Sequence, residues 1–195
     1  AVEYARRDEA IYYLNDATDP VLPAGPGTIG CEILEQCPAC VEIYVPVGDS
    51  ALIRGVAAAV RAWQPAVRVV GVQAEAAPSY YLSWREGRVV TTETCNTIAD
   101  GLATRTPVEA NVRAVREVVS DMRLVTEQQM VSAIERLAAD EHVVAEPAAA
   151  ATVACLVSSL EGSAGPSPSS SDAAIVLLIT GGNISPRLVR TVRDR

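Results

Sequence analysis

Short runs of β-branched residues alternate along this chain with longer segments whose apolar residues recur at helical spacing, and that alternation leaves few folds open. Val41 to Val47 reads as a buried strand. Ser50 to Trp63 follows as a helix, with Ile53, Val56, Ala57 and Val60 on one face and Pro65 ending it. Arg68 to Val72 is the next strand and Pro78 to Arg85 the next helix. A helix from Pro107 to Val119 carries Val108, Val112 and Val115 on one side; Met122 to Val125 is a strand, and Glu127 to Ala139 a helix. Pro147 opens a further helix from its first turn, and Ala173 to Ile179 forms the last strand. Strands separated by helices of this length pair in parallel and are covered on both sides. The expected class is therefore α/β, an open, mostly parallel sheet with helices on both faces.

The remaining segments are less regular. Residues 1–9 read as the end of a polar helix, Ala10 to Leu14 as a short strand, and Asn15 to Pro20 as a turn-rich connection. Gly25-Pro26-Gly27-Thr28 reads as a tight turn, with Thr28 capping a helix through Ile29, Ile33 and Leu34. Residues 87–106 look irregular, and Gly162 to Ser171 has the Gly/Pro/Ser composition of an exposed, mobile loop. The apolar run from Ala145 to Val157, interrupted by Glu146, Pro147 and Thr152, suits a buried helix and falls short of a membrane span. The first residues lack a signal-peptide pattern, so a cytoplasmic protein without a membrane partner is expected. The chain opens on Ala1 instead of a methionine, as the remainder of something longer would.

The net charge is −8, and the 16 basic residues are all arginines scattered along the chain, which argues against a nucleic-acid partner. Among 5 cysteines, Cys37-Pro38-Ala39-Cys40 has the spacing of a redox pair or of half a zinc site. It precedes a strand instead of following one, however, and His142 stands without a second ligand cluster. Small thiols in a reducing cytoplasm are the expectation, and no metal.

Two strand ends stand out. In Val45-Pro46-Val47-Gly48-Asp49-Ser50-Ala51-Leu52, a strand, a loop of small residues and a helix start present backbone N–H groups and a positive dipole end, which suits a phosphate. The same residues also make a plain β–α turn in which Asp49 or Ser50 caps the helix. In Leu178-Ile179-Thr180-Gly181-Gly182-Asn183, paired glycines permit close approach and Thr180 can present its hydroxyl, or the segment simply ends the strand. Both loops lie at the carboxyl ends of strands, where open parallel sheets bind ligands.

At this point the chain resembles the serine/threonine dehydratases, fold-type II pyridoxal-phosphate enzymes. Pro23-Ala24-Gly25-Pro26-Gly27-Thr28-Ile29-Gly30-Cys31-Glu32-Ile33-Leu34-Glu35-Gln36 resembles their A-G-Q-G-T segment. The likeness continues through the 48–52 loop and Gly71-Val72 and is strongest at Thr97-Ile98-Ala99-Asp100-Gly101-Leu102-Ala103. It then passes through Glu146-Pro147-Ala148 and ends at Thr180-Gly181-Gly182-Asn183.

The resemblance implies a two-domain enzyme with its cofactor, pyridoxal 5'-phosphate, between the domains. Residues 1–19 match the end of a small domain that is otherwise missing. Residues 20–195 match the large one, with the mobile loop at 162–172. The cofactor phosphate would sit on Gly48, Asp49, Ser50, Ala51 and Leu52, where the family usually has four glycines before the leucine and this chain keeps only the first. A carboxylate ~5 Å from a dianionic phosphate costs several kcal/mol at an effective dielectric near 20, so Asp49 is expected to turn away as a helix cap. Thr180 falls where the family's hydroxyl faces the pyridine nitrogen. Gln73 and Ser79 stand where some relatives bind a divalent cation with carboxylates; hard cations want anionic oxygen, so again no metal is expected. After Asn183 the chain runs only to Arg195, which implies the short form without a regulatory domain.

The chain has no lysine, and the family's Schiff-base lysine belongs to a segment not found here. No residue of this chain is therefore assigned a catalytic role. The implied function is part of a serine/threonine ammonia-lyase that eliminates water from L-threonine or L-serine. The alternative is a non-catalytic binding or partner protein on the same fold. The implied partners are a small amino-acid substrate and the missing small domain or a homologous chain. The large-domain face normally met by the small one would be open, so low stability or association of this chain alone, a homo-oligomer included, is expected.

Overall fold

A computed structural model describes residues 1–15, 17–162, 173–186 and 188. Its described strands are β1 (Cys40–Pro46), β2 (Arg68–Ala74), β3 (Asp121–Val125) and β4 (Ala174–Leu177), and every pairing is parallel in the order β3-β2-β1-β4. Seven described helices accompany them: α1 (Val2–Ala5), α2 (Ala24–Gln36), α3 (Ala51–Trp63), α4 (Ser79–Glu86), α5 (Glu109–Val118), α6 (Glu127–Asp140) and α7 (Pro147–Glu161). One 3-10 turn, Asp100–Leu102, interrupts the irregular stretch between α4 and α5.

The parallel sheet divides the core in two. On one face, Ile43, Val45, Val69 and Met122 pack with Leu34 of α2, Val56 and Val60 of α3, Tyr80 of α4 and Val115 of α5. On the other, Tyr44, Val70, Val72 and Val125 meet Met130 and Ile134 of α6 and the alanines of α7. Strand alternation sends neighbouring residues to opposite faces, so the central strands β1 and β2 are buried almost throughout. The α7 alanines 148–151 are all buried, and small side chains let this helix lie close on the sheet; the apolar run expected as a buried helix at Ala145 to Val157 is helical from Pro147 onward. One charge enters the central strand. Glu42 is buried and paired with Arg68 at 3.0 Å, with the Tyr44 hydroxyl donating to its other oxygen, at the amino end of the sheet and away from the strand-end loops.

Three expectations are corrected. Ala10 to Leu14 is not a strand: it joins none of the four strands, and Tyr12, Tyr13 and Leu14 are exposed. A strand needs a ladder partner, and the described residues offer none. Gly25-Pro26-Gly27-Thr28 is not a tight turn but lies inside α2, and Thr28 does not cap it; its hydroxyl donates back to the Gly25 carbonyl at 2.7 Å. Here packing overrides local propensity. α2 lies so close on α3 that a Cβ on Gly55 would collide with the Pro23 carbonyl, and helical backbone at 24–28 is what fits that contact. The last strand is also shorter than residues 173–179: the ladder with β1 covers Ala174–Leu177 and closes with the Leu178 N–H donating to the Tyr44 carbonyl at 3.1 Å. The expected mobile loop falls outside the described residues except at Gly162. Among the described residues, no helix is long and apolar enough to cross a membrane.

Candidate functional site

All four strands point their carboxyl ends to one edge, and the loops after β1 and β4 emerge there from neighbouring strands. After β1, the Val47 N–H still pairs with the Val72 carbonyl at 2.8 Å, and the chain then turns into α3 through Gly48, Asp49 and Ser50. Gly48 presses on the 3-10 turn so closely that a Cβ would collide with the Gly101 carbonyl oxygen. Ser50, the residue before the helix, is 1% exposed and has φ +82° and ψ −2°. This left-handed conformation costs an L-residue about 1–2 kcal/mol and costs glycine nothing.

Asp49 does act as a local cap. Its Oδ1 accepts the Ala51 N–H at 3.1 Å, which occupies one donor of the helix start. The N–H groups of Leu52 and Ile53 lie in the first turn of α3 and have no helical acceptor, so they remain directed at the loop. Backbone donors, a helix dipole and a left-handed turn are the elements from which anion sites are built. The loop is also braced from behind. The Tyr80 hydroxyl donates to the Asp49 carbonyl at 2.9 Å, and Ser50 Oγ lies 3.3 Å from that hydroxyl.

The second loop meets the first through intermediates. Gly101, which abuts Gly48, also approaches Ala148 in the first turn of α7. Glu146, the residue before α7, donates its N–H to the Gly181 carbonyl at 3.0 Å, and its Oε2 accepts the Asn183 N–H at 3.2 Å. The resembling segments 97–103, 146–148 and 180–183 are thus drawn into one corner. Thr180 itself is exposed. A pocket of about 640 Å³ opens in this corner, lined in part by Ile98, Asp100, Gly101, Glu127, Glu146 and Asn183. Glu127 is already engaged by the Thr97 hydroxyl at 2.8 Å and the Ile98 N–H at 2.7 Å. The charged residues among those described in its lining are Asp100, Glu127 and Glu146, which suit an amino group better than a carboxylate.

At the end of β2, Gln73 is fully buried and its Oε1 accepts the Tyr81 N–H at 3.0 Å, while the Ser79 hydroxyl donates to the Thr104 carbonyl at 2.6 Å. Both side chains are engaged by the fold. Cys37 closes α2 and Cys40 opens β1; burial raises the Cys40 thiol pKa, which makes it a poor nucleophile.

The Glu146 carboxylate, Tyr80 and Asn111 escape sequence reasoning. Glu146 was legible as part of a motif, but its grip on Asn183 spans 37 positions, and the bond between Asn111 and Tyr80 spans 31. No local pattern signals either.

The model of a family described as "Pyridoxal-phosphate dependent enzyme" matches residues 1–181. The L-threonine ammonia-lyase of Geobacter sulfurreducens is 32% identical over 199 residues, covering 100% of this chain and 47% of that protein. The L-threonine ammonia-lyase of Thermotoga maritima is 36% identical over 183 residues, covering 94% of this chain and 44% of its own length. The chain thus spans about half the length of these relatives. Among solved structures, the processed form of threonine deaminase isoform 2 from Solanum lycopersicum superposes with a TM-score of 0.88 at 27% identity, covering 100% of this chain and 55% of that one.

Proposed function

Because the chain belongs to the pyridoxal-phosphate dependent enzymes, we propose that it forms the cofactor floor of a serine/threonine ammonia-lyase. The observation that carries this reading is the strand-to-helix loop at 48–52. Gly48 packs against Gly101, and Ser50 stands in a glycine-like conformation before a helix whose Leu52 and Ile53 N–H groups have no helical acceptor and suit a phosphate. These residues fit the anionic end of the cofactor, and Thr180 is exposed where a hydroxyl would face the ring nitrogen. When bound, pyridoxal phosphate supplies an electron sink that lets the hydroxyl of L-threonine or L-serine leave as water, yielding a 2-oxo acid and ammonia.

This chain's residues bind and orient. Leu52 and Ile53 N–H groups would hold the phosphate, while Asp49 accepts the neighbouring Ala51 N–H at the same helix start. A hydroxyl at Thr180, unlike a carboxylate, would leave the ring nitrogen of the bound cofactor largely unprotonated and the sink mild, which suits loss of a β-hydroxyl. Glu146 holds the Gly181–Asn183 backbone in place.

In this reading, residues 1–19 complete a small domain and residues 20–195 form the large one. The Schiff-base amine comes from a preceding segment or a homologous chain, since the sequence contains no lysine. The protein works in the cytoplasm with its cysteines free, takes a small amino acid, and needs neither metal nor nucleic acid.

A second reading, a non-catalytic partner on the same fold, is favoured by one observation: side chains at 49–51 replace a run of glycines, and one of them consumes the Ala51 N–H. Joining the chain to a lysine-bearing small-domain segment and supplying pyridoxal phosphate separates the two. The lyase reading expects cofactor absorbance and 2-oxo acid from L-threonine or L-serine. Cofactor binding without turnover supports the partner reading, and neither absorbance nor product rejects the lyase.

A further inference from the structure

We propose that Tyr80 is a positioning residue for the phosphate loop, holding Ser50 in its left-handed conformation so that the Ser50 N–H faces the anion. This inference rests on the reading of residues 48–52 as a phosphate site. The Tyr80 side chain is buried in α4, 30 positions from Ser50, and its hydroxyl is saturated. A phenol has one hydrogen to donate and two lone pairs to accept with. The hydrogen goes to the Asp49 carbonyl at 2.9 Å. The lone pairs face Ser50 Oγ at 3.3 Å and Asn111 Nδ2 at 3.5 Å, so Ser50 and Asn111 must be the donors. Asn111 is in turn anchored by donating to the Ala17 carbonyl at 2.7 Å.

The consequence follows from the planarity of the peptide. In a trans peptide the C=O and the following N–H point in opposite directions. Pinning the Asp49 carbonyl back onto Tyr80 therefore turns the Ser50 N–H to the opposite side, at the head of α3. Ser50 receives no cap hydrogen bond from its own side chain that would hold it there, because Oγ is directed at Tyr80. Glycine in this position would adopt a positive φ unaided; serine needs the brace. Tyr80 thus compensates for a glycine that this chain lacks.

The test is a titration of the full ¹⁵N-labelled chain with inorganic phosphate, against chloride at equal ionic strength, reading the Ser50 and Leu52 amides. In the parent both shift saturably. In Tyr80→Phe, phosphate binds about tenfold more weakly, and hydrogen exchange at Ser50 rises by a similar factor. Adding Ser50→Gly to Tyr80→Phe restores most of the affinity, because glycine recovers the left-handed turn without the hydroxyl; a merely loosened core would not be rescued this way. Unchanged affinity and exchange in Tyr80→Phe, or no rescue by Ser50→Gly, overturns the brace and leaves the phosphate site standing. If phosphate does not move the parent amides, the phosphate reading falls and the role of Tyr80 falls with it.

Discussion

The two loops at the carboxyl edge of the sheet are held by different means. The loop at 48–50 leaves β1, a strand with neighbours on both sides, and is pressed backbone to backbone against Gly101 and tied to the buried Tyr80 hydroxyl. The loop at 180–183 leaves β4, a four-residue edge strand, and Thr180, Gly182 and Asn183 are exposed. Its anchors are the Glu146 N–H and carboxylate, together with the buried Thr152 hydroxyl, which donates to the Leu178 carbonyl at 3.1 Å. A loop wedged between backbones cannot yield, whereas one held by a carboxylate at the end of a rotatable side chain can. In the proposed enzyme, the wedged loop would hold the phosphate and the side-chain-held one would lie beside the ring nitrogen.

The largest expected effect tests the rigid side. Gly48→Ala drives a Cβ into the Gly101 carbonyl, which has no side-chain freedom to retreat, and should cost about 3 kcal/mol in urea unfolding. A loss below 1 kcal/mol would show that the 3-10 turn moves and would erase the contrast.

The next probes the face that supports the second loop. Burial pushes the Cys155 thiol in α7 up to about 11, from an ordinary value of 9.0. The folded chain therefore holds this proton more tightly than the unfolded one. That contribution is complete below pH 9 and is lost as pH rises toward 11, lowering stability by on the order of 1–2 kcal/mol. Unfolding followed from pH 8 to 11 should show the decline, and Cys155→Ala should flatten it; equal slopes in both proteins would exclude Cys155 as the source.

The smallest is Gly181→Ala, whose Cβ would stand 2.5 Å from Glu146 Oε1. The carboxylate can swing aside, so the expected cost is the Asn183 hydrogen bond, about 1 kcal/mol. A penalty equal to that of Gly48→Ala would mean that both loops are equally rigid.

Much of this architecture is legible in the residues alone. Valine-rich runs alternating with helical periodicity predict β1, β2, β3 and the helices between them, and parallel pairing follows because each connection is a helix. Asp49 was also legible as a cap, because a carboxylate two residues before an N–H of the first turn reaches it through a local ring. The failures share a cause. Ala10 to Leu14 has the composition of a strand but no ladder to join, and Gly25-Pro26-Gly27 has the composition of a turn but is held helical by its fit against Gly55.

The sequence by itself determined the class of fold, the edge at which the loops gather and the want of a lysine in this chain, because periodicity, connection length and composition are properties of neighbours along the chain. Only the tertiary structure decided that Ser50 would take a glycine's conformation, that Tyr80 would hold it there, and that Glu146 would reach Asn183. Those outcomes depend on groups at least 30 positions apart meeting within hydrogen-bonding distance, and no local preference encodes such a meeting.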